Sequence, residues 1–450
     1  MNDLILITGG RIVDPSQGLD RETDLWVAEG KVLAVGEGRD PSFLGGQEPG
    51  LVLEARGWVV APGFVDLHCH LRVPGQEEKE TMATGTRAAA RGGFTTLCAI
   101  PNTRPPIDNP GLVEYLKGLA QAEGVVRVLP LGAVTVGRRG QELVEMAALA
   151  RAGAVAFTDD GHPIASSRVM RSALEYSRPL GLPILEHCED LALSQGAQAN
   201  EGPVSLRLGL KGYPSQAEEI MVARDISLAQ LTGGRLHIQH VSTRGSVDII
   251  RQAKEKGLAV TAEATPHHLT LTEERLLGPV PYDTNLKVNP PLRSEEDRKA
   301  LAQALREGVI DAVATDHAPH TVTDKLVEFS LAPPGMSVLE TALGSLLGLV
   351  HRGEIDLPTL IARLTTGPAR VLGRPALGTL RPGNPADIVI FDPHREWVVE
   401  PGKFASKGKN TPLAGETLRG QVMATLVGGR LVFQHPGVRL KPGEARRVRI

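Results

Sequence analysis

Cysteine is scarce: Cys69, Cys98 and Cys188 are the only three in 450 residues, and no two are closely spaced. That argues against a disulfide framework and against a structural zinc knuckle, and it fits a reduced interior. The three read as small packing residues, with Cys69 and Cys188 turned by strand alternation away from the histidines beside them. Charge of either sign is not in excess, since 49 Lys and Arg face 52 Asp and Glu for a formal net charge of −3, with no long basic run. The electrostatic footprint of a nucleic-acid or acidic-membrane binder is therefore missing. No apolar run reaches membrane-spanning length, and no basic segment precedes the apolar residues 4–7. The expectation is a cytoplasmic protein that acts on a small molecule.

What is present is a chain that is 41% hydrophobic and long enough to bury a large core. Residues 1–60 are short apolar runs broken by turn residues, the texture of a small antiparallel β unit, and residues 375–450 read alike. Gly9-Gly10-Arg11-Ile12-Val13 is echoed by Gly428-Gly429-Arg430-Leu431-Val432, which suggests that the two ends meet in one module. Between them eight strand-like runs end in polar residues, at 59–70, 94–102, 126–134, 154–160, 183–189, 236–242, 258–268 and 312–317. Stretches of helical spacing follow each, at 81–90, 112–122, 142–152, 167–178, 216–231, 246–256, 295–306 and 338–350. The pattern predicts an α/β fold: a (β/α)8 TIM-type barrel over 61–374, with a small β-sandwich module built from 1–60 and 375–450.

In such a barrel the strand ends converge on one mouth, and here they carry metal-binding residue types. The first strand offers Asp66, His68 and His70 on one face, because side chains alternate across a strand. An isolated His-X-His is more often chance than chemistry. Here other strands end in Asp159 and Asp160, His187, His240 and Asp316, and four imidazoles with two or more carboxylates make a binuclear inventory that favours zinc over calcium or magnesium. Alternation turns Val155, Phe157 and Asp159 toward the helices and leaves Asp160 facing the axis. The same logic selects Asp316 over His317, and it puts His237 out of phase with His240 as a core histidine. Asp66 is read as orienting a ligand histidine or satisfying buried backbone, and His267 and His268 as structural hydrogen bonders.

Taken together, residues 66–72, Pro101-Asn102-Thr103, Phe157-Thr158-Asp159-Asp160-Gly161, His187-Cys188-Glu189, His240-Val241-Ser242-Thr243, Thr265-Pro266-His267-His268, Asn289-Pro290-Pro291-Leu292-Arg293, residues 314–320 and residues 406–412 resemble the amidohydrolase superfamily. Within it the chain closely resembles the bacterial dihydroorotases that use an aspartate where relatives have a carboxylated lysine. The resemblance covers nearly the whole chain. It implies two divalent metal ions, with zinc favoured: His68, His70 and Asp316 on one, His187 and His240 on the other, and Asp160 bridging. A hydroxide shared by the ions would be the nucleophile, and Asp316 would act as general base and then general acid. The implied substrate pair is L-dihydroorotate and N-carbamoyl-L-aspartate, a step of pyrimidine synthesis.

Arg72, two residues beyond the ligand pair, would hold the substrate carboxylate with two parallel hydrogen bonds. The resemblance adds Asn102 and His320 to that carboxylate, Asn289 to the ring, and backbone near Pro334 and Gly335 to the ring amides. Plainer readings stand beside these: Arg72 as a surface partner of Glu77 or Glu78, Asn102 as a turn cap, and His320 as a solvated loop residue. Ala332-Pro333-Pro334-Gly335 departs from the family's usual Ala-Pro-Phe-Gly, and the segment 322–331 is unusually apolar for a loop that would cover the substrate. Other readings are a hydantoin, allantoin or dihydropyrimidine hydrolase, or a catalytically silent scaffold. A homodimer and an association with aspartate transcarbamoylase are left open.

Overall fold

The structure is a computed structural model that describes residues 4–36, 48–438 and 440–442. Strands β1 (Ile5–Asp14), β2 (Leu19–Ala28), β3 (Lys31–Val35), β4 (Leu51–Glu54) and β5 (Val59–Pro62) come from the first end of the chain. Next in order are β6 (Phe64–Cys69), β7 (Phe94–Ala99), β8 (Arg127–Pro130), β9 (Ile184–Glu186), the short ribbon of β10 (Ala199–Asn200) and β11 (Gly212–Tyr213), then β12 (Leu236–Ile238), β13 (Val260–Ala264) and β14 (Ala312–Val313). The last end supplies β15 (Ile388–Val398), β16 (Thr417–Val427), β17 (Arg430–Gln434) and β18 (Leu440–Pro442).

The two chain ends share one nine-stranded sheet, ordered β17-β16-β15-β5-β1-β2-β3, with β4 set between β1 and β18. Its centre is β1, whose register breaks at Gly9-Gly10: the residues before the break pair with β4 and those after it with β5. Gly9 has φ +69°, a value a bulge tolerates best in glycine. The later Gly428-Gly429 has a different role, as a two-residue hairpin turn with both φ positive. It packs against the matching Glu29-Gly30 turn, where a Cβ on Gly30 would lie 2.9 Å from the Gly428 carbonyl oxygen. Ile7, Leu25 and Leu53 from one end and Ile388, Ile390 and Leu426 from the other form one buried cluster. At about 1.5–3 kcal/mol for each such side chain, this burial is what holds the ends together.

Every strand pairing in the central region is parallel. One sheet runs β6-β7-β8 and another β9-β12-β13-β14. Parallel bridges connect them: Gly132 to Phe157 and Phe157 to Ile184 on one side, and Cys69 to His317 on the other. Helices lie between successive strands and begin where side chains cap free backbone N–H groups. Thr81 caps Met82–Gly92, Thr243 caps Arg244–Glu255, and Ser294 caps Glu295–Glu307, whose first turn is acidic as the helix dipole favours.

Three expectations need correction. The run 59–70 is two strands in two sheets, split at Gly63, where a Cβ would fall 2.2 Å from the Thr95 side chain. Continuous apolar character conceals such a change of sheet. Residues 154–160 make isolated bridges at Phe157 rather than a strand, and the helices expected from 142 and 338 begin at Met146 and Ala342. All three cysteines are buried and unpaired. Among the described residues no helix is long and apolar enough to cross a membrane.

Candidate metal centre

The strand ends bring six side chains from five separate segments to one point. His70 Nε2 lies 3.0 Å from Asp316 Oδ1, and His68 Nε2 lies 3.4 Å from the same oxygen. Asp160 sits between two pairs of imidazoles. Its Oδ2 faces His68 and His70 at 3.3 and 3.6 Å, and its Oδ1 faces His240 and His187 at 3.4 and 3.7 Å. His187 Nδ1 and His240 Nε2 approach to 2.8 Å. Two subsets, His68 with His70 and Asp316 and His68 with Asp160 and His240, have ligand atoms close enough to share a cation.

All six are buried, and among the described residues His68 Nε2 makes no well-formed hydrogen bond, its neighbours being the Asp160 and Asp316 oxygens already given. Burial works against ionising Asp160 and Asp316, yet the surrounding imidazoles hold both carboxyls well below the usual carboxylate range. The far ring nitrogens of three histidines are already engaged: His68 Nδ1 with Glu263 Oε1 at 2.9 Å, His70 Nδ1 with Asn102 Oδ1 at 3.0 Å, and His187 Nε2 with Glu189 Oε2 at 2.7 Å. Those acceptors take the ring protons outward and leave lone pairs converging inward, the arrangement that divalent zinc, cobalt or manganese requires. The residues fit such a cation.

Three residues at the mouth, Arg72 (φ +62°), His240 (φ +31°) and Asp316 (φ +46°), have left-handed backbone. Such conformations disfavour non-glycine residues and persist where the surroundings over-determine them. At Asp316 the surroundings are Asp66, which accepts hydrogen bonds from Thr315 N at 2.8 Å, Thr315 Oγ1 at 2.6 Å and His68 N at 3.2 Å. Asp66 therefore ties the first and last strands together through backbone. Asp159 turns away from the centre, as alternation predicts, and accepts from Val134 N and Thr135 N. His237 is buried but not inert, for it bonds Glu263.

A cavity of about 230 Å³ opens beside the centre, and Arg72, Asn102, Asn289, His320, Pro334 and Gly335 all line it. Arg72 is buried and does not reach Glu77 or Glu78; its Nε donates to Pro319 O at 3.2 Å. His320 is buried rather than solvated, and the neutral ring, pushed down to about 3 by burial and by Arg72, donates from Nε2 to Pro334 O at 3.0 Å. With that nitrogen protonated, Arg72 Nη2 finds no acceptor there, and the outer guanidinium faces the cavity. Asn289 Nδ2 donates to Glu189 Oε2 at 3.0 Å.

The backbone near Pro334 and Gly335 differs from expectation. Pro334 O accepts from His320, Gly335 N donates to Lys287 O at 2.8 Å, and Gly335 O accepts from Asn410 Nδ2 at 3.0 Å. These groups fasten the loop to itself and to its surroundings. His268 makes the structural bonds expected of it, to Thr265 Oγ1 and Pro290 O, whereas neither ring nitrogen of His267 has a partner. Glu189 and Glu263 were not singled out from sequence. Glu189 lies two residues after His187, and Glu263 is the lone carboxylate in an apolar strand run, signals that would have found both.

The loop that follows β14 is anchored by two lysines. Lys325 Nζ donates to Thr284 O and Pro333 O, and Lys287 Nζ to Phe329 O and Ser330 O. Burial pushes Lys325 down to about 7 from the usual 10.5, with Lys287 adding to the effect. The folded chain thus resists charging an amine that the unfolded chain charges freely, so the cost is full below pH 7 and fades as pH climbs toward the ordinary lysine range. Lys325→Met is expected to gain on the order of 1 kcal/mol or more over the parent at pH 6 and to lose that margin by pH 10. Denaturant midpoints at the two pH values check this, and a margin that grows with pH would refute it.

Parallel α/β architecture, a six-residue histidine and aspartate centre and an adjoining cavity that holds a buried arginine are the parts of a metal-dependent hydrolase. A dihydro-orotase-like family model matches residues 57–246, and an amidohydrolase family model matches residues 229–433. The chain is 50% identical over 434 residues to a dihydroorotase of Anaeromyxobacter dehalogenans, covering 96% of this chain and 99% of that one. It is 51% identical over 436 residues to a dihydroorotase of Pelotomaculum thermopropionicum, covering 97% and 100%. Among solved structures, the L-hydantoinase (dihydropyrimidinase) of Arthrobacter aurescens superposes with a TM-score of 0.85 at 26% identity over 96% of each chain. The chain belongs to the dihydroorotase family.

Proposed function

We propose that the chain catalyses reversible hydrolysis of the cyclic amide of L-dihydroorotate to N-carbamoyl-L-aspartate, the step that pyrimidine synthesis runs in the ring-closing direction. One observation carries the reading: a buried arginine that forms no ion pair with a carboxylate among the described residues shares a cavity with the six-residue centre. A desolvated guanidinium demands an anion, and dihydroorotate offers a carboxylate at ring distance from its scissile amide. A neutral hydantoin or allantoin ring leaves that demand unmet, although hydantoinases share the fold. An aspartate at 160, where those relatives typically place a lysine, argues the same way.

Two divalent ions, zinc by donor type, would be held by His68, His70 and Asp316 on one side and by His187 and His240 on the other, with Asp160 between. Bound there, they supply Lewis acidity that polarises a carbonyl and acidifies water. Asp316 then works as the proton carrier. Its carboxylate takes the proton of the attacking water as the C–O bond forms, and gives it to the amide nitrogen as the C–N bond breaks. Arg72 fixes the substrate carboxylate, Asn102 offers Nδ2 beside it, and Asn289 orients the ring. We read the eight parallel segments as one closed (β/α)8 barrel over 61–374. The split of β1 between two neighbours supports a β-sandwich for 1–60 and 375–450, with β5 carried along to Pro62.

Ring opening assayed on dihydroorotate, hydantoin and allantoin, with metal analysis of the same preparation, tests the reading. Dihydroorotate should be preferred by at least about tenfold in kcat/KM, a margin one well-placed ionic contact provides. A preference for a neutral ring would overturn the substrate, and fewer than one ion per active chain would overturn the binuclear centre.

A further inference from the structure

Behind His68 lies a second layer of polar groups, of which Glu263, His237, Gln239 and Thr158 are buried. Glu263, on β13, accepts with Oε1 from His68 Nδ1 at 2.9 Å and with Oε2 from His237 Nε2 at 3.0 Å. His237, on β12, is held in turn by Thr261 Oγ1 at 2.9 Å from its Nδ1. His68, His237 and Glu263 are each fully buried. Gln239 lies beside His68, and its Oε1 accepts from Thr158 Oγ1 at 2.9 Å. Thr158 Oγ1 also receives the Asp160 backbone N–H at 3.0 Å.

An isolated carboxylate in a dry core is costly, and burying one is repaid only where both oxygens are satisfied and a cation is close. Glu263 satisfies the first condition with two ring N–H donors. The second falls to the centre, because a carboxylate accepting from Nδ1 fixes the His68 tautomer and leaves the Nε2 lone pair bare, and His68 Nε2 is the ring nitrogen that makes no well-formed hydrogen bond among the described residues.

We propose that Glu263, backed by His237, is a positioning residue for the metal centre: it sets the tautomer and ring plane of His68 and contributes a buried negative charge that raises cation affinity. The proposal rests on the ligand assignment given above. It assigns Glu263 no contact with substrate or reacting atoms. His237 keeps the carboxylate from rotating away, so its loss is felt through Glu263 and is the smaller of the two.

Transfer of zinc from the loaded chain to a chromogenic chelator measures the affinity directly, with the thermal midpoint of the metal-free chain measured beside it. Glu263→Gln keeps the volume and removes the charge; it should lower zinc affinity by roughly 10–100-fold. A role confined to folding would move the metal-free midpoint and leave the affinity within about threefold of the parent, and that result overturns the proposal. Should Glu263→Gln not fold, His237→Gln is read the same way: a loss beyond about threefold supports the relay, and an unchanged affinity overturns it. His68→Ala separates the two levels. If it binds zinc as tightly as the parent the ligand assignment itself fails, whereas loss of zinc there with no loss in Glu263→Gln sinks only the relay.

Discussion

Asp316→Asn is expected to lower kcat on dihydroorotate by about 10³-fold or more, the upper part of the range for a lost general acid–base. The substitution keeps size and shape and changes charge alone. That weakens Asp316 both as a ligand and as a proton carrier, so metal content is measured beside turnover. Asparagine tolerates the left-handed backbone at this position, φ +46°, as readily as aspartate does. Thr315, whose N–H and hydroxyl are gripped by Asp66, keeps the segment in place. What changes is the oxygen 3.0 Å from His70 and 3.4 Å from His68, which loses its charge and its ability to accept and return a proton. The expected signature is a collapse in kcat at a thermal midpoint close to that of the parent, followed by the ultraviolet absorbance of dihydroorotate. Turnover within tenfold of the parent would remove Asp316 from its role.

Arg72→Met is expected to cut kcat/KM for dihydroorotate by about 10²–10³-fold, the loss of a buried charged contact worth 2–5 kcal/mol, while a neutral cyclic imide changes by only a few-fold. The comparison is internally controlled. Arginine and methionine are both unbranched at Cβ, so the φ of +62° costs either about the same, and any damage to the mouth lowers both substrates together. Only a carboxylate clamp separates them. Steady-state kinetics on the two substrates decides the point, and equal losses would show that Arg72 supports the mouth without recognising the anion.

Alternation along a strand made much of this centre legible. It selects Asp160 over Asp159 and Asp316 over His317 in the sequence. In the structure, however, residues 154–160 make only isolated bridges and Asp316 lies beyond β14 with φ +46°, so the bends of the chain there, and not alternation, set where these carboxylates face. Period alone says which face a side chain uses but not what meets it across the sheet. Glu263 is 195 residues from His68, and nothing local in either segment announces the pairing. His237 illustrates the same limit, since its phase marks it as core while its partner makes it part of the relay. The break at Gly63 leaves no mark in the pattern, because both halves of the run are equally apolar. The hydrogen bonds of Gly335 depend on Lys287 and Asn410, which arrive from distant parts of the chain.

Asn410 has one more implication. Its Oδ1 accepts from His320 N and Ser337 Oγ, and its Nδ2 donates to Ala318 O and Gly335 O. Nearby, Ser406 bonds Glu80, the carboxylate that also meets His317. All six metal-type side chains precede residue 320, but the clasp over the mouth comes from residues 406–410. The donor set is therefore complete in the chain before the residues that fasten the cavity wall from behind. A chain that ends before residue 406 keeps every metal-type side chain but lacks the Asn410 bonds to Ala318, His320 and Gly335, three residues that line the cavity.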